Sequence, residues 1–168
     1  MDDYYSQIAP GYDALHGAEQ DAKVRELLAK VELAQNATVL DVGCGTGRSS
    51  LLLPDVQWHG IEPSPGLIAH AALDVRGRIL NGVAEDLPFG EASFDVVLCV
   101  TVLQNVTDAH KALSEMRRVL KPNGVLLLSF LRKAQQRASY DEMAREFFLV
   151  KTTWEFAQDV CYVCERVI

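Results

Sequence analysis

The chain has 168 residues, 49% hydrophobic and 23% charged, a mixture that suits one globular domain and excludes a disordered, collagen-like or coiled-coil protein. A chain of this length buries roughly 70% of the surface its unfolded form exposes and needs no disulfide staples. Its 16 basic and 23 acidic residues leave a net charge of −7, which disfavours nucleic-acid binding through bulk electrostatics.

The acidic start, Met1-Asp2-Asp3, lacks the basic-then-apolar layout of a secretory signal. Apolar runs such as Val96–Val100 and Val125–Leu128 fall far below the ~20 residues that span a bilayer, so a cytoplasmic protein without a membrane span is expected. No repeat or Gly/Ser linker interrupts the sequence, and residues 1–168 read as one domain with an N-terminal arm over residues 1–18.

After that arm, Ala22, Val24, Leu27, Leu28 and Val31 recur at helical spacing and predict a helix over Glu19–Leu33 with a charged opposite face. Ala37–Val42 reads as a buried strand, followed by a glycine-rich turn and a short helix ending near Pro54. Gln57–Glu62 is a second strand, and Ser64–Leu73 a helix that Ser64 can cap with Pro65 at its first position. Arg78–Val83 is a weaker third strand. Phe94–Thr101 is apolar on both faces and suits the centre of a parallel sheet.

Thr107–Lys121 places Ala109, Ala112, Leu113, Met116, Val119 and Leu120 on one stripe, and Pro122-Asn123-Gly124 reads as the stop before a strand over Gly124–Phe130. Tyr140–Phe148 is a helix, and Leu149–Phe156 and Val160–Ile168 are two strands joined by the polar turn Ala157-Gln158-Asp159. Strand–helix alternation closed by a hairpin predicts an α/β fold, a Rossmann-like doubly wound sheet, mostly parallel with an antiparallel C-terminal strand. Cys161 and Cys164 form the one CxxC, but within a strand they face opposite sides, so no metal site is expected.

The chemistry lies in Leu40-Asp41-Val42-Gly43-Cys44-Gly45-Thr46-Gly47, a strand running into three alternate glycines and then a helix. Glycine permits positive φ and close backbone approach, and the helix start offers unpaired N–H groups. The spacing is GxGxG, with Arg48 where a dinucleotide-binding turn carries its third glycine. Glu62 ends the next strand, 21 residues beyond Asp41, where a carboxylate can accept both hydroxyls of an adenosine ribose. An adenosine compound carrying a carboxylate and no pyrophosphate is implied, and S-adenosylmethionine is the candidate.

Four further runs follow in order: Gly60-Ile61-Glu62-Pro63-Ser64-Pro65, Ala84-Glu85-Asp86-Leu87-Pro88-Phe89, Ser93-Phe94-Asp95 and Arg118-Val119-Leu120-Lys121-Pro122-Asn123-Gly124. With the glycine turn they make the chain resemble class I S-adenosylmethionine-dependent methyltransferases, in particular the ubiquinone/menaquinone biosynthesis group, over roughly residues 37–130. Tyr5-Ser6-Gln7-Ile8-Ala9-Pro10-Gly11-Tyr12-Asp13 resembles the segment that folds over the cofactor in that group.

The resemblance implies that Asp41 orders the glycine loop and helps hold the methionine amino end. Backbone groups of Gly43, Cys44 and Gly45 would line that end, Glu62 would take the ribose hydroxyls, and Pro63 would pack near the adenine. Gly47 and Val100 complete the expected set. The family's acid beyond its third strand is Val83 here, which leaves Ala84 to offer its N–H to the adenine and Glu85 or Asp86 to replace the acid. Histidines common after the family's fourth strand are replaced by Leu103-Gln104-Asn105-Val106. Tyr12, His16 and Asn105 are the positions to examine for acid–base work.

Only Leu131–Phe148 lies between the fifth strand and the hairpin, too little for a substrate-covering layer. A small-molecule acceptor is the leading expectation. An RNA or protein methyltransferase with a partner subunit, or a module that binds the cofactor without catalysing, are the alternatives.

Overall fold

A computed structural model describes residues 4–168; the first three residues of the arm, including the acidic start, lie outside them. Seven strands form one sheet in the order β3-β2-β1-β4-β5-β7-β6. These are β1 (Thr38–Val42), β2 (Gln57–Glu62), β3 (Ile79–Asn81), β4 (Phe94–Val100), β5 (Leu120–Leu131), β6 (Leu149–Phe156) and β7 (Asp159–Glu165). The first five run parallel, and β7 is antiparallel to both β5 and β6. The chain winds outward from β1 to β3 on one side and to β4 and β5 on the other. The carboxyl ends of β1 and β4 therefore flank the point where the winding reverses, where such sheets open a crevice.

The described residues form six α-helices: α1 (Tyr4–Tyr12), α2 (Ala18–Leu28), α3 (Pro65–His70), α4 (Leu73–Arg76), α5 (Ala109–Val119) and α6 (Arg137–Phe147). On one face Ala112, Leu113, Met116 and Val119 of α5 and Ala144 of α6 pack against Leu40, Val97, Cys99, Leu126 and Leu128. On the other, Leu27 of α2 and Val75 of α4 meet Val39, Trp58, Leu98 and Leu127. Both faces of the central strands are buried, which is why those strands are apolar throughout. Cys161 joins the α2-side core and Cys164 the α5-side core, as the alternation of a strand requires. Among the described residues no helix is long and apolar enough to cross a membrane.

The arm is helical and runs through a π turn at Asp13–Gly17 directly into α2, so the helix expected over Glu19–Leu33 begins earlier and stops at Leu28. Val31 and Leu33, counted into its stripe, do pack against the core, but as part of the loop that leads to β1. The helix expected over Ser64–Leu73 divides into α3 and α4; Ser64 caps α3 by accepting the Leu67 N–H at 3.3 Å.

Pro122-Asn123-Gly124 does not end a helix. α5 already stops at Val119, Leu120 pairs with Phe94, and the three residues form an irregularity inside β5, with Asn123 at φ 62°. A proline there costs no ladder hydrogen bond. α6 packs on α5, so the short interval after β5 builds no roof over the crevice.

Candidate functional site

β1 delivers Asp41 to the crevice, and the chain then turns through Gly43, Gly45 and Gly47, all with positive φ. The N–H groups of Gly43 and Cys44 both donate to the Ile61 carbonyl, at 2.8 and 3.1 Å, which hooks the loop onto the end of β2. A Cβ on Gly43 would lie 2.5 Å from Val102 Cγ2, and one on Gly47 2.6 Å from Val75 Cγ1. Gly43→Ala is therefore expected to combine left-handed strain with a steric overlap, costing about 2–5 kcal/mol of stability. Urea unfolding measures this; a variant as stable as the wild type would contradict the loop conformation.

Glu62, 4% exposed at the end of β2, sits beside the loop. Its Oε2 accepts the Gly45 N–H and its Oε1 the Ser64 N–H, both at 2.9 Å. One carboxylate thus ties the glycine loop to the start of α3. Asp41 is held by the Ser49 hydroxyl, which in turn accepts from Trp58 Nε1 at 2.9 Å. Burial pushes the Asp41 carboxyl up to about 7, with the Glu62 charge adding to the rise and the Ser49 hydrogen bond opposing it.

These residues open on a cavity of about 240 Å3. Of the residues singled out from sequence, Asp41, Gly43, Cys44, Gly45, Glu62, Pro63, Ala84, Glu85, Val100, Tyr12 and Asn105 line it. Gly47 does not: its glycine requirement comes from the packing of Val75, Ile79 and Trp58 behind the loop. His16 also lies off the lining, its ring tilted against that of Tyr12 with the centroids 5.2 Å apart. Burial, reinforced by Tyr5 and the nearby carboxylates, pushes the Tyr12 phenol up to about 12, which keeps it a hydrogen-bond donor at neutral pH. Cys44 is likewise raised by burial and the two carboxylates, the reverse of what a nucleophilic thiol needs.

Glu85 does not stand free to replace the family's missing acid. Its Oε1 accepts the N–H groups of Thr107 and Asp108, at 2.8 and 3.2 Å, and so fixes the loop after β4. Asp86 is exposed and off the lining. This edge of the cavity carries Ala84 and the Glu85 carboxylate, whose Oε1 is already engaged.

The arm forms the roof. Ser6 Oγ lies 3.0 Å from Ser64 Oγ and accepts the Gly66 N–H at 3.1 Å. Asn105 Nδ2 donates to the Tyr5 hydroxyl at 2.9 Å, and Thr46 Oγ1 donates to Asp13 at 2.7 Å. Arg48, the residue that breaks the dinucleotide pattern, reaches up to α2 and makes a two-pronged pair with Asp21. Gln20, Asp21, Val24 and Thr101 also face the cavity and were missed in the sequence; the approach of α2 to the end of β4, which depends on tertiary contacts, reveals them.

The arrangement fits a ligand with a cationic amino group at one end and neighbouring hydroxyls at the other. Carboxylates stand at two adjacent strand ends, and positive-φ glycines between them leave the backbone uncovered.

Comparison with known proteins points the same way. A family model described as a methyltransferase domain matches residues 40–128. The ubiquinone/menaquinone biosynthesis C-methyltransferase of Geotalea daltonii is 34% identical over 148 residues, covering 77% of this chain and 63% of that protein. A malonyl-[acyl-carrier protein] O-methyltransferase of Herminiimonas arsenicoxydans is 42% identical over 135 residues, covering 76% and 49%. The chain thus spans about half to two thirds of the length of these relatives. Among solved structures, a chain of the complex that the Haloferax volcanii Trm112 methyltransferase activator forms superposes with a TM-score of 0.86 at 19% identity, covering 100% of both chains. The PH0226 protein of Pyrococcus horikoshii gives 0.80 at 19% identity, covering 98% and 99%.

Proposed function

Because this chain belongs to the methyltransferase-domain family, we propose that it transfers the methyl group of S-adenosylmethionine to a small-molecule acceptor. The observation that carries this reading is the pair Asp41 and Glu62, on adjacent strand ends with the glycine loop between them, both facing one cavity. Asp41 would hold the amino group, Glu62 the ribose hydroxyls, and the Ala84 backbone the adenine edge. When bound, the cofactor supplies an already activated methyl group, so the protein's task is alignment and exclusion of water.

The roof formed by α1 and α2 serves that exclusion. Tyr12 and Asn105 face the cavity as hydrogen-bond donors, and neither is suited to remove a proton at neutral pH. An acceptor that is already nucleophilic, or that loses its proton to solvent, fits this lining. Within α1 only Ala9 is buried, so the segment can lift without breaching the core. Deleting residues 1–17 is expected to leave a folded protein that binds S-adenosylhomocysteine at least tenfold more weakly. Unchanged affinity by calorimetric titration would reject the roof as a lid.

A second reading, a macromolecular acceptor with an activating partner, is favoured by the likeness to a chain of a complex with a methyltransferase activator and by the lack, among the described residues, of a layer beyond α6. A tritium-transfer screen over quinone precursors, total tRNA and cell extract separates the two. Label in the small-molecule fraction is expected. Label confined to RNA or protein would support the second reading, and no label at saturating cofactor would reduce the chain to a binding module.

A further inference from the structure

Behind the cavity wall lies a charged network that none of the roles above uses. Lys23 of α2 is 1% exposed and Asp159, the first residue of β7, is fully buried. Lys23 Nζ lies 3.0 Å from Asp159 Oδ1 and 2.9 Å from Glu19 Oε1, and donates to Thr101 Oγ1 at 3.2 Å. The Thr101 and Ser129 hydroxyls both donate to Asp159 Oδ2, each at 2.6 Å. The ammonium group thus joins α2 to the end of β4 and the start of β7, and Asp159 extends the link to Ser129 of β5.

Thr101 is the residue of this network that faces the cavity. Its φ is 59°, an outlying conformation for a β-branched residue. Its N–H donates to the Ser129 carbonyl at 2.9 Å, and its own carbonyl accepts Gln104 Nε2 at 2.7 Å. Backbone strain of this kind persists only where the surroundings hold it, and it clusters at functional sites. A buried ion pair is also a poor way to gain stability, since apolar residues of similar size commonly serve as well or better. What this pair supplies is position. It sets α2, which carries Gln20, Asp21 and Val24 on one cavity wall, against the turn that carries Thr101, Val102 and Asn105 on the other.

We propose that Lys23 and Asp159 are positioning residues that lock α2 onto Thr101 and so hold the cavity closed over its bound ligand, an inference that rests on reading the cavity as the cofactor site. Lys23→Met alone leaves Asp159 buried and unpaired and is expected to lower the melting temperature sharply. The double variant Lys23→Met/Asp159→Leu removes both charges and is expected to melt well above the single variant, although the Thr101 and Ser129 hydroxyls lose their shared acceptor. It should nevertheless release S-adenosylhomocysteine at least tenfold faster in stopped-flow dissociation, a change that a merely structural pair would not produce. Thr101→Val, which keeps the ion pair but deletes the hydroxyl linking it to the cavity, is expected to speed release in the same direction and stands in should the double variant fail to fold.

Wild-type dissociation rates in the folded variants would overturn this inference while leaving the cofactor site intact. A wild-type chain that binds no S-adenosylhomocysteine would overturn the cofactor reading and this inference together.

Discussion

Replacing Glu62 with alanine is expected to weaken S-adenosylmethionine binding by roughly 100-fold or more and to destabilise the protein as well. The first effect follows from two charge-assisted hydrogen bonds to ribose hydroxyls, each worth ~1.5–3 kcal/mol, with ~1.4 kcal/mol per tenfold in affinity. The second comes from the hydrogen bonds already present. Glu62 accepts from Gly45 and Ser64, and losing an acceptor strands two buried N–H groups at about 1–3 kcal/mol each. From sequence alone a strand-end carboxylate looks dispensable to the fold; its 4% exposure and two backbone partners show otherwise.

Glu85→Ala, by contrast, should loosen the loop after β4 through Thr107 and Asp108 and reduce affinity by less. Calorimetric titration of both variants, with urea melts beside it, tests the contrast. A Glu62→Ala protein that binds like wild type would remove the ribose assignment.

Asp41→Asn should move stability and affinity in opposite directions. The folded carboxyl titrates near 7, against an ordinary 3.8, so between these values the native chain holds a proton that the unfolded chain has lost. Wild-type stability therefore falls as pH rises from about 4 to about 7, by an amount on the order of 2–4 kcal/mol for one buried carboxylate. Asparagine mimics the protonated form and escapes that loss, so the variant should be the more stable protein at pH 8, with the gap closing toward pH 4. Affinity responds the other way, because the ionised form attracts the ligand's amino group. Wild-type affinity should rise roughly tenfold from pH 6 to pH 8, while the variant binds weakly and with a flat profile. A wild-type profile without that rise would detach Asp41 from the amino group.

The sheet and the glycine loop were legible because each is written in local chemistry. Gln57–Glu62 has the bounds read from the sequence, and Asp41-Val42-Gly43 through Gly47 turns where glycine must supply positive φ. What escaped depends on tertiary contacts. Lys23 reads by residue type as part of the charged side of its helix, yet by position it stands one turn before Leu27 and shares that residue's buried stripe. Asp159 reads as part of a polar turn, and only the arrival of α2 with an ammonium group makes its burial affordable. Thr101 looks like the last residue of an apolar strand, and its left-handed φ runs against its own propensity. Pro122-Asn123-Gly124 carries the usual signs of a helix stop, but Leu120 had already entered the sheet opposite Phe94.

The most direct test of the central claim, that the cavity beside Asp41 and Glu62 is a cofactor site, is isothermal titration of the full chain with S-adenosylhomocysteine at pH 8 and again at pH 6. Binding at one site per chain is expected, roughly tenfold weaker at the lower pH. A folded chain that gives no binding heat at either pH, and whose melting temperature the ligand leaves unchanged, would contradict it.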